Sequence, residues 1–201
     1  GIRPFDRSGF DTAPAHVTFV AREDRLWFAS PFGKFCYRVL NKLGVKNSIG
    51  RWFVQRQDRL ILRTMREIRK ARPGTRFTVV GLGTPALARY GAEDLRTRKM
   101  DADTERAWCQ AYARSQVVVG VHGSNMLLPT VFAGGCVEIL PHDRYGNIVQ
   151  DVSVRWTGRM QLFLYRFVDE FATPRQVARH VVSMFQHYSL FHRNNEVNVF
   201  H

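Results

Sequence analysis

Two periods of apolar spacing alternate along the chain and together outline its elements. Apolar or alternating runs occur at His16 to Ala21 (HVTFVA), Arg76 to Gly81 (RFTVVG), Val117 to Val119 (broken at Gly120), Cys136 to Leu140 and Gln161 to Phe167 (QLFLYRF). They are rich in β-branched and aromatic residues and predict strands. Helical spacing lies between them. In Trp52 to Arg72, Ile61, Met65 and Ile68 form one face and Arg56, Arg59, Arg63, Arg66 and Lys70 the other, with Pro73-Gly74 as the stop. Further helices are predicted at Thr104 to Ser115, through Trp108, Ala111 and Tyr112, and at Met126 to Phe132. A last helix follows the capping box Thr173-Pro174-Arg175-Gln176 and carries Val177, Val181, Phe185 and Tyr188 on one face.

The remaining stretches read less regularly. Gly1 to Ala15 is an extended lead-in. Leu26 to Gly50 is either a helix with loops or an insertion that packs on a partner domain. Ala86 to Met100 is a loop with a helical turn, Ile148 to Arg155 a helix or a short strand, and the chain after Leu190 a polar tail. Strands alternating with helices predict an α/β fold, a Rossmann-like parallel sheet with helices on both faces, as one domain over residues 1–201.

Charge changes this picture more than composition does. Thirty Lys and Arg stand against 17 acids, a net +13, and call for an anionic partner: a nucleotide, nucleic acid, acidic glycan or membrane surface. Cys36, Cys109 and Cys136 show no metal or disulfide spacing, so a reducing, cytoplasmic setting fits best. No run reaches transmembrane length and no nucleic-acid motif is present.

The chemistry concentrates in Val117 to Pro141. A strand runs into His122-Gly123-Ser124-Asn125, then a short helix, Gly134-Gly135, and a strand that carries Glu138. Such a βαβ turn offers backbone N–H groups and a helix start to a phosphate. His122 is a candidate phosphate donor or proton shuttle, against the alternative of a core histidine. Glu138 is a candidate acceptor for ribose hydroxyls, against a structural ion pair. Ligands of open α/β sheets sit at carboxyl strand ends, so Arg22 and Arg25 are candidate anion contacts, against a solvated charged turn.

Gly81-Leu82-Gly83-Thr84-Pro85-Ala86 imitates the start of a dinucleotide fingerprint without its helix, and reads as a binding turn beneath a nucleobase through Gly83 and Thr84. Asp101-Ala102-Asp103 imitates a metal-binding DxD but precedes a helix, which favours capping. No metal or cofactor is expected. The arginine stripe of Trp52 to Arg72 is either a solvated helix face or a contact for anionic lipid or acidic glycan.

At Val119-Gly120-Val121-His122-Gly123-Ser124-Asn125 and Val137-Glu138-Ile139 the chain resembles the glycosyltransferase family 61 group and related bacterial GT-B enzymes. The likeness extends loosely over Phe77 to Pro141, including Ala113-Arg114-Ser115-Gln116. It implies a C-terminal donor-binding domain of a GT-B enzyme, which transfers a sugar from a UDP- or GDP-sugar to a glycan or glycolipid without metal and with inversion. Ser124-Asn125 stands where Ala-Gly is commoner, and the span from His122 to Glu138 is slightly short, which bears on donor identity and loop geometry. A chain of 201 residues that starts Gly1-Ile2-Arg3 is expected to be mainly the donor-binding half, with the acceptor half reduced, absent or on another chain. His122 and Asp151 are the candidates for the catalytic base. The alternatives are an epimerase or pyruvyl transferase on the same scaffold, or a non-catalytic basic module for membrane or acidic glycan, peripheral at the inner membrane face.

Overall fold

Five consecutive buried residues, His16–Val20, make strand β1, and the sheet grows outward from it on both sides. The computed structural model describes residues 1–43, 46–147 and 163–196. β2 is Arg76–Val80, β3 Glu93–Asp94, β4 Val117–Val121, β5 Gly135–Leu140 and β6 Tyr165–Asp169. All pair in parallel in the order β3-β2-β1-β4-β5-β6, the doubly wound order of a Rossmann-like α/β fold. Strands covered on both faces can be apolar throughout, which is why β1, β4 and β5 read as unbroken runs.

The pleat splits those runs between two layers. Val17, Phe19, Val117, Val119 and Val137 face one layer, where Ile61, Met65 and Ile68 of helix α2 (Lys46–Ala71) meet Val177, Val181 and Phe185 of helix α5 (Pro174–Glu196). Val20, Val118 and Cys136 face the other, against Trp108, Ala111 and Tyr112 of α3 (Ala102–Ala113) and Met126, which precedes α4 (Leu127–Phe132). Asp101 caps α3, its carboxylate accepting from the Thr104 N–H at 2.9 Å. The Thr173 capping box starts α5, with Thr173 N–H donating to Gln176 Oε1 at 2.8 Å and Gln176 N–H to Thr173 Oγ1 at 3.3 Å.

Several segments differ from expectation. Residues 1–15 are not a free lead-in: Phe10 is fully buried and stacks on Tyr188 at 4.4 Å, and Phe5 N–H donates to the Phe132 carbonyl at 2.7 Å. Of the two readings of residues 26–50, the helix with loops is the one found: α1 (Pro31–Lys42), capped by Ser30. β3 lies within the expected loop because Asp94 gathers the Ala86 and Leu87 N–H groups, both at 2.8 Å, and laces the segment along β2. α5 continues past Leu190, where Phe191 stacks on Phe163 at 4.0 Å. β6 starts at Tyr165, later than the Gln161 run suggested; Ile148 to Arg155 lies outside the described residues.

His16, at the first position of β1, bonds Thr78 Oγ1 through Nε2 at 2.8 Å, and that hydroxyl donates onward to Glu93 at 2.9 Å. Burial, followed by the positive charge of Arg114, lowers the imidazole to about 4 from an ordinary 6.5. Between those values the unfolded chain binds a proton that the folded chain does not, so stability rises with pH across that window. Urea midpoints measured from neutral pH downward should fall between pH 6.5 and about 4 by an amount equivalent to about 3 kcal/mol. His16→Gln should flatten that slope.

Candidate functional site

β1 and β4 lie side by side, yet their chains leave the sheet in opposite directions: β1 crosses to β2 through α1 and α2, β4 to β5 through α4. A doubly wound sheet opens a crevice at such a switch point, outside the carboxyl ends of the strands. Two turns fill the rim of this crevice. One is Arg22-Glu23-Asp24-Arg25 after β1; the other is His122-Gly123-Ser124-Asn125 after β4.

Arg25 joins them. Its Nη1 donates to Asn125 Oδ1 at 2.8 Å and to the His122 carbonyl at 3.5 Å, and its Nη2 to Ser124 Oγ at 3.4 Å. Asn125 in turn donates from Nδ2 to the Val121 carbonyl at 3.2 Å. Arg144, on the 3-10 turn His142–Asn147 that follows β5, donates to the same His122 carbonyl at 3.0 Å. Among the described residues, neither Arg25 nor Arg144 forms an ion pair with a carboxylate. Burial, then the charges of Arg144 and Arg22, hold the Arg25 guanidinium below its ordinary pKa. Two like charges gathered at one carbonyl repel each other, and a negative charge placed between them would relieve that cost. Arg22 is different: it forks onto Asp24 at 2.7 and 2.8 Å and is largely neutralised.

Gly123 makes the approach of Arg25 geometrically feasible. Its φ of +147° lies where only glycine is at ease, and a Cβ there would stand 1.5 Å from Arg25 Nη1. Ser124 is exposed, and Gly123 and Asn125 are half-buried.

His122 and Glu138 take a role other than the ligand contacts expected of them. Both are buried, 1 % and 0 % exposed at the side chain, with His122 Nδ1 2.6 Å from Glu138 Oε2. The other carboxylate oxygen accepts from the Tyr165 hydroxyl, and Cys136 Sγ lies 3.8 Å from it. The pleat explains the placement. Cys136 and Glu138 share a face of β5, in register with Tyr165 and Phe167 of β6, so the carboxylate points into the sheet's interior and not at the crevice. Glu138 does not reach a ribose here, and His122 is held beneath the turn, not presented on it. Together they fix the turn's floor. Asp151 lies outside the described residues.

Gly83 and Thr84 fall beside the β1 end, one strand further along. Thr84 N–H donates to Glu23 Oε1 at 3.1 Å, and its hydroxyl accepts from Arg98 Nε at 3.1 Å. Gly83 is buried against Glu23, where a Cβ would meet Cγ at 3.1 Å. Thr84, Glu23 and Arg98 line a cleft of about 630 Å³ that Tyr37 of α1 and Asp58 of α2 close on the other side. Burial raises the Asp58 carboxyl against the pull of Arg96. Arg22, Ser124 and Asn125 line a separate small pocket of about 140 Å³. The glycine loop that imitates a fingerprint thus follows β2, with no helix behind it. Its first glycine serves sheet closeness: with φ +126°, a Cβ on Gly81 would lie 2.0 Å from the Ala21 carbonyl oxygen. Among the described residues no cluster of three or more His, Cys, Asp or Glu is placed to hold a metal ion.

The structure therefore brings Arg22, Gly123, Ser124 and Asn125 together, sets Thr84 in a separate cleft with Gly83 buried beside it, and withdraws His122 and Glu138 into the core. Arg144 was not singled out from sequence; its only signal was a lone arginine in the polar loop that ends β5. Neither family models nor curated protein sequences match the chain. Fold and site define a doubly wound, Rossmann-like α/β domain at whose switch point two guanidiniums, neither in an ion pair among the described residues, share a pocket with Asp24, Asp143 and Glu170.

Gly123→Ala should cost about 1–3 kcal/mol in urea denaturation, from strain and from expelling Arg25. In an Arg25→Ala background the same change should cost less, because the clash is gone; a double-mutant cycle reads the difference.

Proposed function

We propose that this chain is the donor-binding domain of a metal-independent, inverting sugar transferase, which holds the diphosphate of a UDP- or GDP-sugar against Arg25, Arg144 and the Gly123-Ser124-Asn125 turn. The observation that carries the reading is the pair of guanidiniums converging on the His122 carbonyl at the switch point, with no ion pair to a carboxylate among the described residues. A departing nucleoside diphosphate gathers negative charge as the sugar–oxygen bond breaks. Fixed cations and N–H dipoles aimed at that charge stabilise it more in the transition state than in the ground state. Arginine suits the task, since its planar fork matches phosphate oxygens in pairs.

The resemblance of Val119 to Asn125 and Val137 to Ile139 to family 61 glycosyltransferases supports the same reading. The cleft between Thr84, Glu23 and α1 borders the turn after β1 at Glu23 and has a volume suited to a nucleoside or sugar. Glu138 and His122 act in this reading as positioning residues: they hold the turn and touch no substrate.

Isothermal titration of the full chain with UDP, GDP and their sugar conjugates tests it. Binding at millimolar or tighter affinity is expected, weakened about tenfold or more by Arg25→Ala and by Arg144→Ala, as for loss of a charge-assisted hydrogen bond. Absence of nucleotide binding at millimolar concentration, or binding indifferent to both substitutions, overturns the proposal.

A further inference from the structure

The one long helix that buries almost nothing is α1. Gly33 is its sole buried residue, while Phe32 is 76 % exposed, Phe35 63 % and Leu43, at its end, 69 %; Val39 is exposed with them. Spacings of three and four residues put these four on one face of the helix. Tyr37 and Leu40 lie on another face and line the cleft. Arg38 and Lys42 fall beside the apolar stripe on its remaining flank. The helix is anchored at its start by Lys34, which pairs with Glu170 and lies 3.9 Å from Asp143. Its outer face is thus an arranged surface and not a frayed end.

The charge along this stretch of sequence is one-sided, although Lys34 is matched in space by Glu170 and Asp143. Residues 31–57 contain six basic residues, Lys34, Arg38, Lys42, Lys46, Arg51 and Arg56, and no Asp or Glu. Trp52, 46 % exposed near the start of α2, lies under the Arg56 guanidinium at 5.6 Å. An aromatic and aliphatic stripe bordered by cations, with acids excluded, is the pattern of a helix that lies in a membrane interface. The arginine stripe of α2 fits that role less well: Glu67 interrupts it and pairs with Lys70. A second copy of the chain is disfavoured as the occupant, because it would set these cations against their own kind.

We propose that the outer face of α1 docks on an anionic lipid bilayer. Phe32, Phe35, Val39 and Leu43 enter the headgroup region, and Arg38 and Lys42 pair with lipid phosphates. The proposal is independent of nucleotide binding.

Flotation of the full chain with vesicles tests it, using phosphatidylcholine alone or with about 30 % phosphatidylglycerol. At low salt the anionic vesicles should retain the protein at least about tenfold better than the neutral ones. Phe32→Ser/Phe35→Ser and, separately, Arg38→Gln/Lys42→Gln should each reduce retention about tenfold, with UDP or GDP affinity unchanged. Arg59→Gln/Arg63→Gln/Arg66→Gln should leave retention intact. Circular dichroism reports folding; if the apolar variant is unfolded, the charge variant decides. The proposal is overturned by equal or absent retention on the two vesicle types, by retention that survives the α1 substitutions, or by retention lost only in the α2 variant. Light scattering that finds a dimer dissolved by the phenylalanine substitutions also overturns it.

Discussion

The adjacency of β1 and β4 is the constraint from which the rest of this structure follows. Val17 to Val20 run in register with Val117 to Gly120, and each strand is buried on both faces. That pairing forces the crossovers to opposite sides of the sheet, and so brings the β1 and β4 turns to one rim. Without it Arg25 would have no Asn125 to reach across nearly a hundred residues of chain. Long-range pairing of apolar strands has thereby produced a local polar arrangement.

Beneath that rim, a buried histidine, glutamate and tyrosine stand where an apolar cluster would pack more simply. A buried polar group is tolerated when its bonds are made, and leaving one partner unmatched is costly. The His122–Glu138–Tyr165 chain satisfies this, and it links β4, β5 and β6 through side chains as well as backbone. Its effect is to hold the backbone of the His122 turn in one place. The His122 carbonyl then serves as the fixed acceptor for both guanidiniums.

Much of the architecture was legible because it is written in spacing. Unbroken valines declared buried parallel strands, and Ile61, Met65 and Ile68 declared the inner face of α2. α1 was legible only as one of two alternatives, for the same reason turned round: its apolar stripe faces outward, so it does not report on the core. β3 carries only Glu93 and Asp94, and becomes a strand through hydrogen bonds that Asp94 makes after folding. The turn after β4 could be recognised as an anion candidate from its residue types. That Glu138 points inward required the register between β5 and β6, and the part played by Arg144 required the third dimension altogether.

Arg25 and Arg144 have given up part of their side-chain freedom to hydrogen bonds within the chain. An arginine side chain at a surface carries about 2 kcal/mol of rotamer entropy, which a partner must ordinarily suppress to gain a contact. Here the His122 carbonyl and the Asn125 amide have already suppressed it during folding. The surface as a whole draws anions by its diffuse positive field, which acts on charge and is blind to outline. At this corner two guanidiniums are held by the Asn125 side chain and the His122 carbonyl, so an anion bound there would be sorted by the spacing of its oxygens.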